Sequence, residues 1–424
     1  MSGSIFQRFR SVSAAAVFAA ALFLLLLGLF FGNACIAAGH VVAIAALVMI
    51  YREKGKDALI WKGLRPSAKW LMLFVTVAAV SIFVNWQIIP EPFDHLKKLR
   101  YFLIFLGFLL MPSLFEQVYH RIDKRNWLVL AWVIPLALAV ILGFVGFWTG
   151  SHPIRKNVID IERVSGLYGQ VMTFAYTLQF SVIALASFLV SPTIWKRISR
   201  VPFFVVVVAL LVAGAALYFS YTRGAMLGVV VGFTVFAMMK SRWLILLVVL
   251  VGMAGGAYAY KERARYFKFE SSIRLSQWKT ASLGFLERPV FGFGFHNFEH
   301  HCVELKKKYG FEKDKKERIN KKRVWSYFEG HAHNNFLEAF VSTGFLGGIA
   351  LLGFCYCWIR EAWKSGYAVY FVPLISAFLV SGFFENTFFD SEVLNCILLI
   401  YLFTQMVLDW EKGRLDEASP KPLS

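Results

Sequence analysis

The chain has 424 residues, 58% of them hydrophobic, and a formal net charge of +19. An apolar share that high, spread along most of the length, excludes an ordinary soluble domain and points to a polytopic membrane protein. In a soluble chain the charge would suggest nucleic acid; in a membrane chain Lys and Arg must first be sorted by side, so no nucleic-acid partner is expected.

Runs long enough to cross a hydrocarbon core of roughly 30 Å lie at 14–31, 34–51, 70–89, 101–118, 127–149, 170–190, 202–219, 224–239, 243–260, 334–359, 367–384 and 392–409. The expectation is an all-α integral membrane protein of about twelve transmembrane helices, because an open sheet cannot satisfy its backbone in lipid. Helices 1–9 fall within 1–260, one large loop takes 261–332, helices 10–12 occupy 333–410, and 411–424 is a tail. Arg8 and Arg10 before the first run imitate a signal peptide. A second run follows at once, and Cys35 lacks an aliphatic residue three positions earlier, so an uncleaved helical hairpin is expected. Of the five cysteines, 35, 302, 355, 357 and 396, only Cys302 lies in the large loop, so no disulfide framework is expected.

With the N-terminus in the cytoplasm, the cytoplasmic segments hold 21 Lys and Arg, the short outer loops 7, and the segment 261–332 the remaining 17 of 45. The positive-inside rule fits this orientation, since loops beyond about 60 residues translocate regardless of charge. Both termini are then cytoplasmic and 261–332 lies on the outer side of the membrane. A basic outer loop calls for a reason, and an anionic lipid-linked substrate supplies one.

Several cations gather on that face. Arg223 sits in a very short connection, Phe219-Ser220-Tyr221-Thr222-Arg223-Gly224, where it can meet a phosphate bidentately at headgroup depth or act as a snorkelling anchor. Arg274, in Arg274-Leu275-Ser276-Gln277-Trp278, reads as part of a short helix, and could bind a diphosphate or pair with a loop carboxylate. That helix runs into Glu287-Arg288-Pro289-Val290-Phe291-Gly292-Phe293-Gly294-Phe295-His296, whose glycines allow close backbone approach. Without a third spaced glycine or a preceding strand, it is no dinucleotide site. Arg288 either contacts substrate or anchors the loop; Arg163 and Arg265 belong to the same outer set. The segment from Lys306 to Arg323 reads as a solvated helix face, with contact to anionic lipid heads as the alternative.

The richest constellation is Gly330-His331-Ala332-His333-Asn334-Asn335-Phe336-Leu337-Glu338, where the loop re-enters the membrane through a helix that ends near Thr343-Gly344. A histidine at this boundary can take a proton from an attacking hydroxyl. His333, next to the helix start, is expected to face the outer cavity, whereas His331, still in the loop, need not share its direction. No Cys, Asp or third His sits at ligand spacing, so no metal is expected. The alternative is a capping role, with Asn334 bonded to backbone. Glu385 and Asp390, in the last outer loop, could orient a histidine or an arginine.

A Thr-Arg-Gly turn between helices, Arg-x3-Trp leading to Pro-x-Phe-Gly-x-Gly, and His-Asn-Asn-Phe-Leu opening the next helix together resemble the bacterial O-antigen ligase family, over roughly 215–350. The resemblance implies a metal- and cofactor-independent glycosyltransferase of the GT-C kind. Such an enzyme moves a glycan from undecaprenyl diphosphate to a sugar hydroxyl of lipid A-core on the periplasmic face. It also implies roles: Arg223 and Arg274 look like diphosphate-binding arginines, with Arg163 a weaker carry-over and Arg288 a further diphosphate candidate from the residues alone. His333 looks like the essential histidine; His331, Asn334, Arg265 and Glu385 are supporting candidates from the reading of the residues, outside the resemblance. Competing readings are an O-antigen polymerase, a protein O-oligosaccharyltransferase, and a lipid or solute transporter. Arg155-x10-Gly166 matches a polymerase pattern, but the ten arginines on the outer side and a glycine share of about 7% give about 0.7 such matches by chance. A transporter would place its polar residues near the midplane rather than at one face.

Overall fold

The computed structural model describes residues 13–60, 63–114, 125–151, 163–189, 203–241, 270–319 and 322–418, with four isolated helical residues between 243 and 253. The first apolar run forms α1 (Ala14–Phe31), capped by the Ser13 hydroxyl, and Gly32 at φ 91° turns the chain into α2 (Asn33–Lys54). Small residues let this pair close: a Cβ on Gly28 would stand 2.5 Å from Ile36 Cγ1. There follow α3 (Pro66–Val84), α4 (Pro92–Lys98), α5 (Arg100–Leu110), α6 (Arg125–Thr149), α7 (Val171–Leu189), α8 (Phe203–Phe219) and α9 (Arg223–Lys240). After α10 (Glu270–Glu287) and α11 (Phe298–Lys308) comes an antiparallel hairpin of β1 (Lys315–Ile319) and β2 (Lys322–Ser326), then α12 (Asn335–Trp363), α13 (Ala368–Ser381) and α14 (Ser391–Ala418).

Among the described residues eight helices are long and apolar enough to cross a membrane, and α8 and α13 are shorter apolar helices. This is a helical membrane protein; the expected twelve spans are not all accounted for among the described residues. The run at 101–118 breaks after the eleven-residue α5, because Pro112 cannot continue that helix and disfavours helical backbone at Met111, and helix resumes at Ser113 and Leu114. Residues 115–124 and most of 243–260 lie outside the described residues, as do Arg155 and Arg265.

The segment between α9 and α12 is more structured than an unbroken loop. Arg274 lies on a helix as expected, the 18-residue α10. The expected helix face from Lys306 to Arg323 is corrected: α11 stops at Lys308, and the later residues form coil and the hairpin. Lys306 itself is buried, bonded to Asp314 at 2.6 Å and to the Phe328 carbonyl at 3.0 Å.

The glycine turn after α10 works as its sequence suggests. Gly344, at φ 76° and ψ −172°, breaks α12 into a short first segment and a long second one. Into that break docks the Pro289–Gly294 turn: Phe345 N–H donates to the Pro289 carbonyl at 2.7 Å and Phe293 N–H to the Val341 carbonyl at 3.0 Å. Gly292 stands so close that a Cβ would lie 2.4 Å from the Val341 oxygen, so only glycine fits. Phe295 at the end of the turn packs among Phe74, Phe102 and Phe389. This aromatic core fixes two loops at once, the one carrying His296 and the one carrying Glu385.

Candidate active site

The first segment of α12 starts where Asn334 caps it, its side-chain oxygen accepting from Phe336 N–H at 2.9 Å and Leu337 N–H at 3.0 Å. Asn334 is thus occupied with backbone, its amide also donating to the Phe383 carbonyl at 3.2 Å. Asn335, which the sequence reading passed over, stitches the loop after α13 to this helix. It donates to Thr387 Oγ1 and accepts from Phe388 N–H, both at 2.8 Å, while its own N–H donates to the Gly382 carbonyl at 2.7 Å. The buried Glu338 accepts from Ala332 N–H at 2.9 Å and from the Ser342 hydroxyl at 2.8 Å, which ties down the peptide between the two histidines.

These restraints bring Glu385 beneath His331 and His333. One carboxylate oxygen, Oε1, receives His331 Nε2 at 2.9 Å, His333 Nδ1 at 2.8 Å and Asn386 N–H at 3.0 Å. The ring centroids are 4.4 Å apart. The expectation that His331 need not share the direction of His333 is therefore corrected. The helix begins after His333, whose backbone is left-handed at φ 48°, and that twist swings both side chains onto one acceptor. Trp278, one turn along α10 from Arg274, donates to the His333 carbonyl at 3.5 Å and closes the loop from the other side.

Burial would raise the Glu385 pKa, but the two histidines outweigh it and hold the carboxyl far below its ordinary range. For His331 burial acts downward, and the hydrogen bond and charge of Glu385 reverse it, leaving the pKa above the usual histidine value. An ionised carboxylate only accepts, so the facing nitrogens carry the protons and His333 keeps Nε2 available as a base. The second oxygen of Glu385 is buried and has no hydrogen-bond partner among the described residues.

The arginines divide. Arg223 is the first residue of α9, half-buried, and Gly224 beside it is pressed against Tyr176 and the Cβ of Phe384, the neighbour of Glu385. This packing brings Arg223 to the Glu385 loop. Arg274 is half-buried on α10. Arg163 braces the turn before Arg223, its Nε donating to the Ser220 carbonyl at 2.8 Å and its Nη2 to Thr222 Oγ1 at 3.2 Å. Arg288 does what its anchoring alternative described: Nη1 donates to Asn85 Oδ1 at 3.0 Å and the guanidinium lies 5.0 Å from the Phe293 ring centroid. Among the described residues Asp390 meets neither a histidine nor an arginine. It caps α14 and accepts from Thr173 Oγ1 at 2.7 Å.

Spacing along the sequence does not capture the full set of ligand-type atoms here. The third ligand atom that spacing did not supply comes from Glu385, and His331, His333 and Glu385 place their ligand atoms within 4.8 Å of one another. Two histidines and a carboxylate can hold a divalent cation. The same atoms at 2.8 and 2.9 Å are also well-formed charge-assisted hydrogen bonds.

Residues 207–352 match the family described as O-antigen ligase. No curated protein matches the chain. The matched segment holds Arg223, Arg274, Arg288, His331 and His333, and the resemblance read from those motifs is borne out over it. Arg163 and Glu385 lie outside it.

Proposed function

We propose, from the O-antigen ligase domain carried over residues 207–352, that this chain transfers a glycan from undecaprenyl diphosphate to a sugar hydroxyl of lipid A-core at the periplasmic face of the bacterial inner membrane. The observation that carries this reading is the convergence of His333 and His331 on the single ionised carboxylate of Glu385, beside a helix-initiating Arg223. His333 donates through Nδ1 to Glu385 and accepts the acceptor hydroxyl's proton at Nε2. The freed oxygen attacks the anomeric carbon as the bond to the diphosphate breaks, and the electron pair leaves with undecaprenyl diphosphate. Attack opposite the leaving group inverts the anomeric configuration. Arg223 and Arg274 hold the diphosphate, stabilising the charge it gains without a metal ion. The polyprenyl chain stays in lipid, and no cofactor is needed.

The test uses the purified chain in lipid vesicles, with undecaprenyl-diphosphate-linked glycan as donor and lipid A-core as acceptor. Transfer should survive EDTA and fall at least about tenfold on Arg223→Ala or Arg274→Ala, the loss of one charge-assisted contact to phosphate. Arg→Lys at either site should restore only part, since an ammonium cannot reproduce a bidentate fork. Strict dependence on Mg²⁺, Mn²⁺ or Zn²⁺ would reject this mechanism and put a cation at His331, His333 and Glu385. Transfer onto a growing lipid-linked glycan in place of lipid A-core would make the chain a polymerase.

Orientation has its own test. A cysteine introduced at Lys315, on the hairpin, should react with a membrane-impermeant maleimide in intact spheroplasts, as the excess of Lys and Arg on the opposite segments requires. Protection until the membrane is opened would invert the topology and remove the donor's side from the site.

A further inference from the structure

Lys98 is the last residue of α4, and its half-buried ammonium donates to His296 Nδ1 at 3.1 Å. His296 Nε2 in turn faces the Phe389 carbonyl at 3.2 Å. Since a carbonyl only accepts, Nε2 carries the ring proton and Nδ1 is the acceptor, so the imidazole beside the ammonium is neutral. Burial and the adjacent Lys98 charge agree, pushing the His296 pKa down to about 3. The hydrogen-bond partner of Lys98 is thus uncharged.

The acids that act on Lys98 by charge are not in contact with it among the described residues. Asp94 pairs with Lys97 at 2.5 Å, Glu338 holds Ala332 N–H and Ser342, and Glu299 lies 3.9 Å from His300. Two of its three N–H donors remain for something else. A half-buried ammonium without a counter-ion is costly, and an anionic ligand removes that cost.

Its place says which anion. His296 leans on the Phe389 carbonyl, four residues after Glu385, and Glu338 acts by charge on both Lys98 and His331. His296 itself holds a left-handed backbone, φ 61°, uncommon for a non-glycine residue and kept in place by Phe295 in the aromatic core.

We infer that Lys98, seated on His296, is a phosphate-binding residue at the mouth of the His331–His333–Glu385 cluster, taking the phosphate or diphosphate head of a lipid substrate. The inference rests on the transfer reading above, which supplies two lipids of that chemistry: the polyprenyl diphosphate donor and the phosphorylated lipid A of the acceptor.

The full chain in detergent micelles is titrated with undecaprenyl diphosphate in one arm and with phosphorylated lipid A in the other. Lys98→Gln should weaken one of these affinities roughly ten- to hundredfold, the range of a charge-assisted hydrogen bond to phosphate. The arm that weakens identifies the lipid. Lys98→Arg should stay within about threefold, because the cation is kept, and Lys97→Gln, on the exposed neighbour, should match the parent chain. Unchanged affinity in both arms for Lys98→Gln overturns the inference while leaving the transfer reading intact. Equal losses in Lys98→Gln and Lys98→Arg overturn it too, showing a structural position. A parent chain that binds neither lipid sinks the transfer reading and this inference with it.

Discussion

Replacing His333 by alanine is expected to lower glycan transfer by about 10²–10⁴-fold, the usual contribution of a general base. Donor affinity should barely change, because the diphosphate is held by Arg223 and Arg274 rather than by the imidazole. His331→Ala is expected to cost far less, on the order of tenfold, the loss of one hydrogen bond to a charged group. Both rings touch Glu385 Oε1, but their settings differ. His333 is fastened through its carbonyl by Trp278 and its side chain is 12% exposed, against 34% for His331. The more enclosed ring can keep its Nε2 desolvated and aimed. His331, with its raised pKa, serves as the cation that keeps Glu385 ionised. Single-turnover rates with saturating donor, compared with donor titrations, separate the two roles. Equal losses in the two variants, or a weakened donor affinity in His333→Ala, would mean that His333 is structural or binds phosphate.

Much of this site was legible because it is local. Glycines at 292, 294 and 344, a Thr-Arg-Gly turn and a His-x-His before a helix each announce a backbone need or a chemistry within a few residues. What could not be read was set by contacts across the chain. Lys98 and His296 meet over 198 positions, and Glu385 reaches His333 over 52. The left-handed backbone of His333 carries no sequence signal, since a non-glycine residue there reflects tertiary packing, and it joins the contacts of Asn335 and Glu338 in bringing His331 and His333 onto Glu385. The anchoring roles of Arg163 and Arg288 were open for the same reason. An arginine on an outer connection looks identical whether its donors meet Ser220, Asn85 or a substrate phosphate. Pro112 was the exception: its effect on the run at 101–118 is local, and counting apolar residues simply overlooked it.

Glu385→Gln should reduce transfer by an amount similar to the loss of an orienting carboxylate in other histidine-based sites, about 10³–10⁴-fold. An amide in that place can donate as well as accept, so His333 can settle in the tautomer with Nε2 protonated and no base remains. The pH profile carries the more specific signature. The carboxylate raises the His331 pKa, and the charged His331 in turn helps keep Glu385 ionised. Removing the negative charge lets the proton leave at lower pH, so whatever activity remains should rise on an acid limb displaced toward lower pH than in the parent chain. Stability should move consistently. His331, with its folded pKa raised, contributes most below the ordinary histidine value and loses that contribution as pH climbs through the folded one. Glu385, with its folded pKa depressed, contributes above the ordinary carboxylate value and loses it only in stronger acid. The pair is therefore most stabilising from about pH 5 to pH 6, between those two ordinary values. Thermal unfolding of Glu385→Gln should differ most from the parent in that window and converge toward it in more alkaline buffer. An acid limb that stays where it was, with the melting difference constant across pH, would show that Glu385 holds the loop without governing the protonation of the histidines above it.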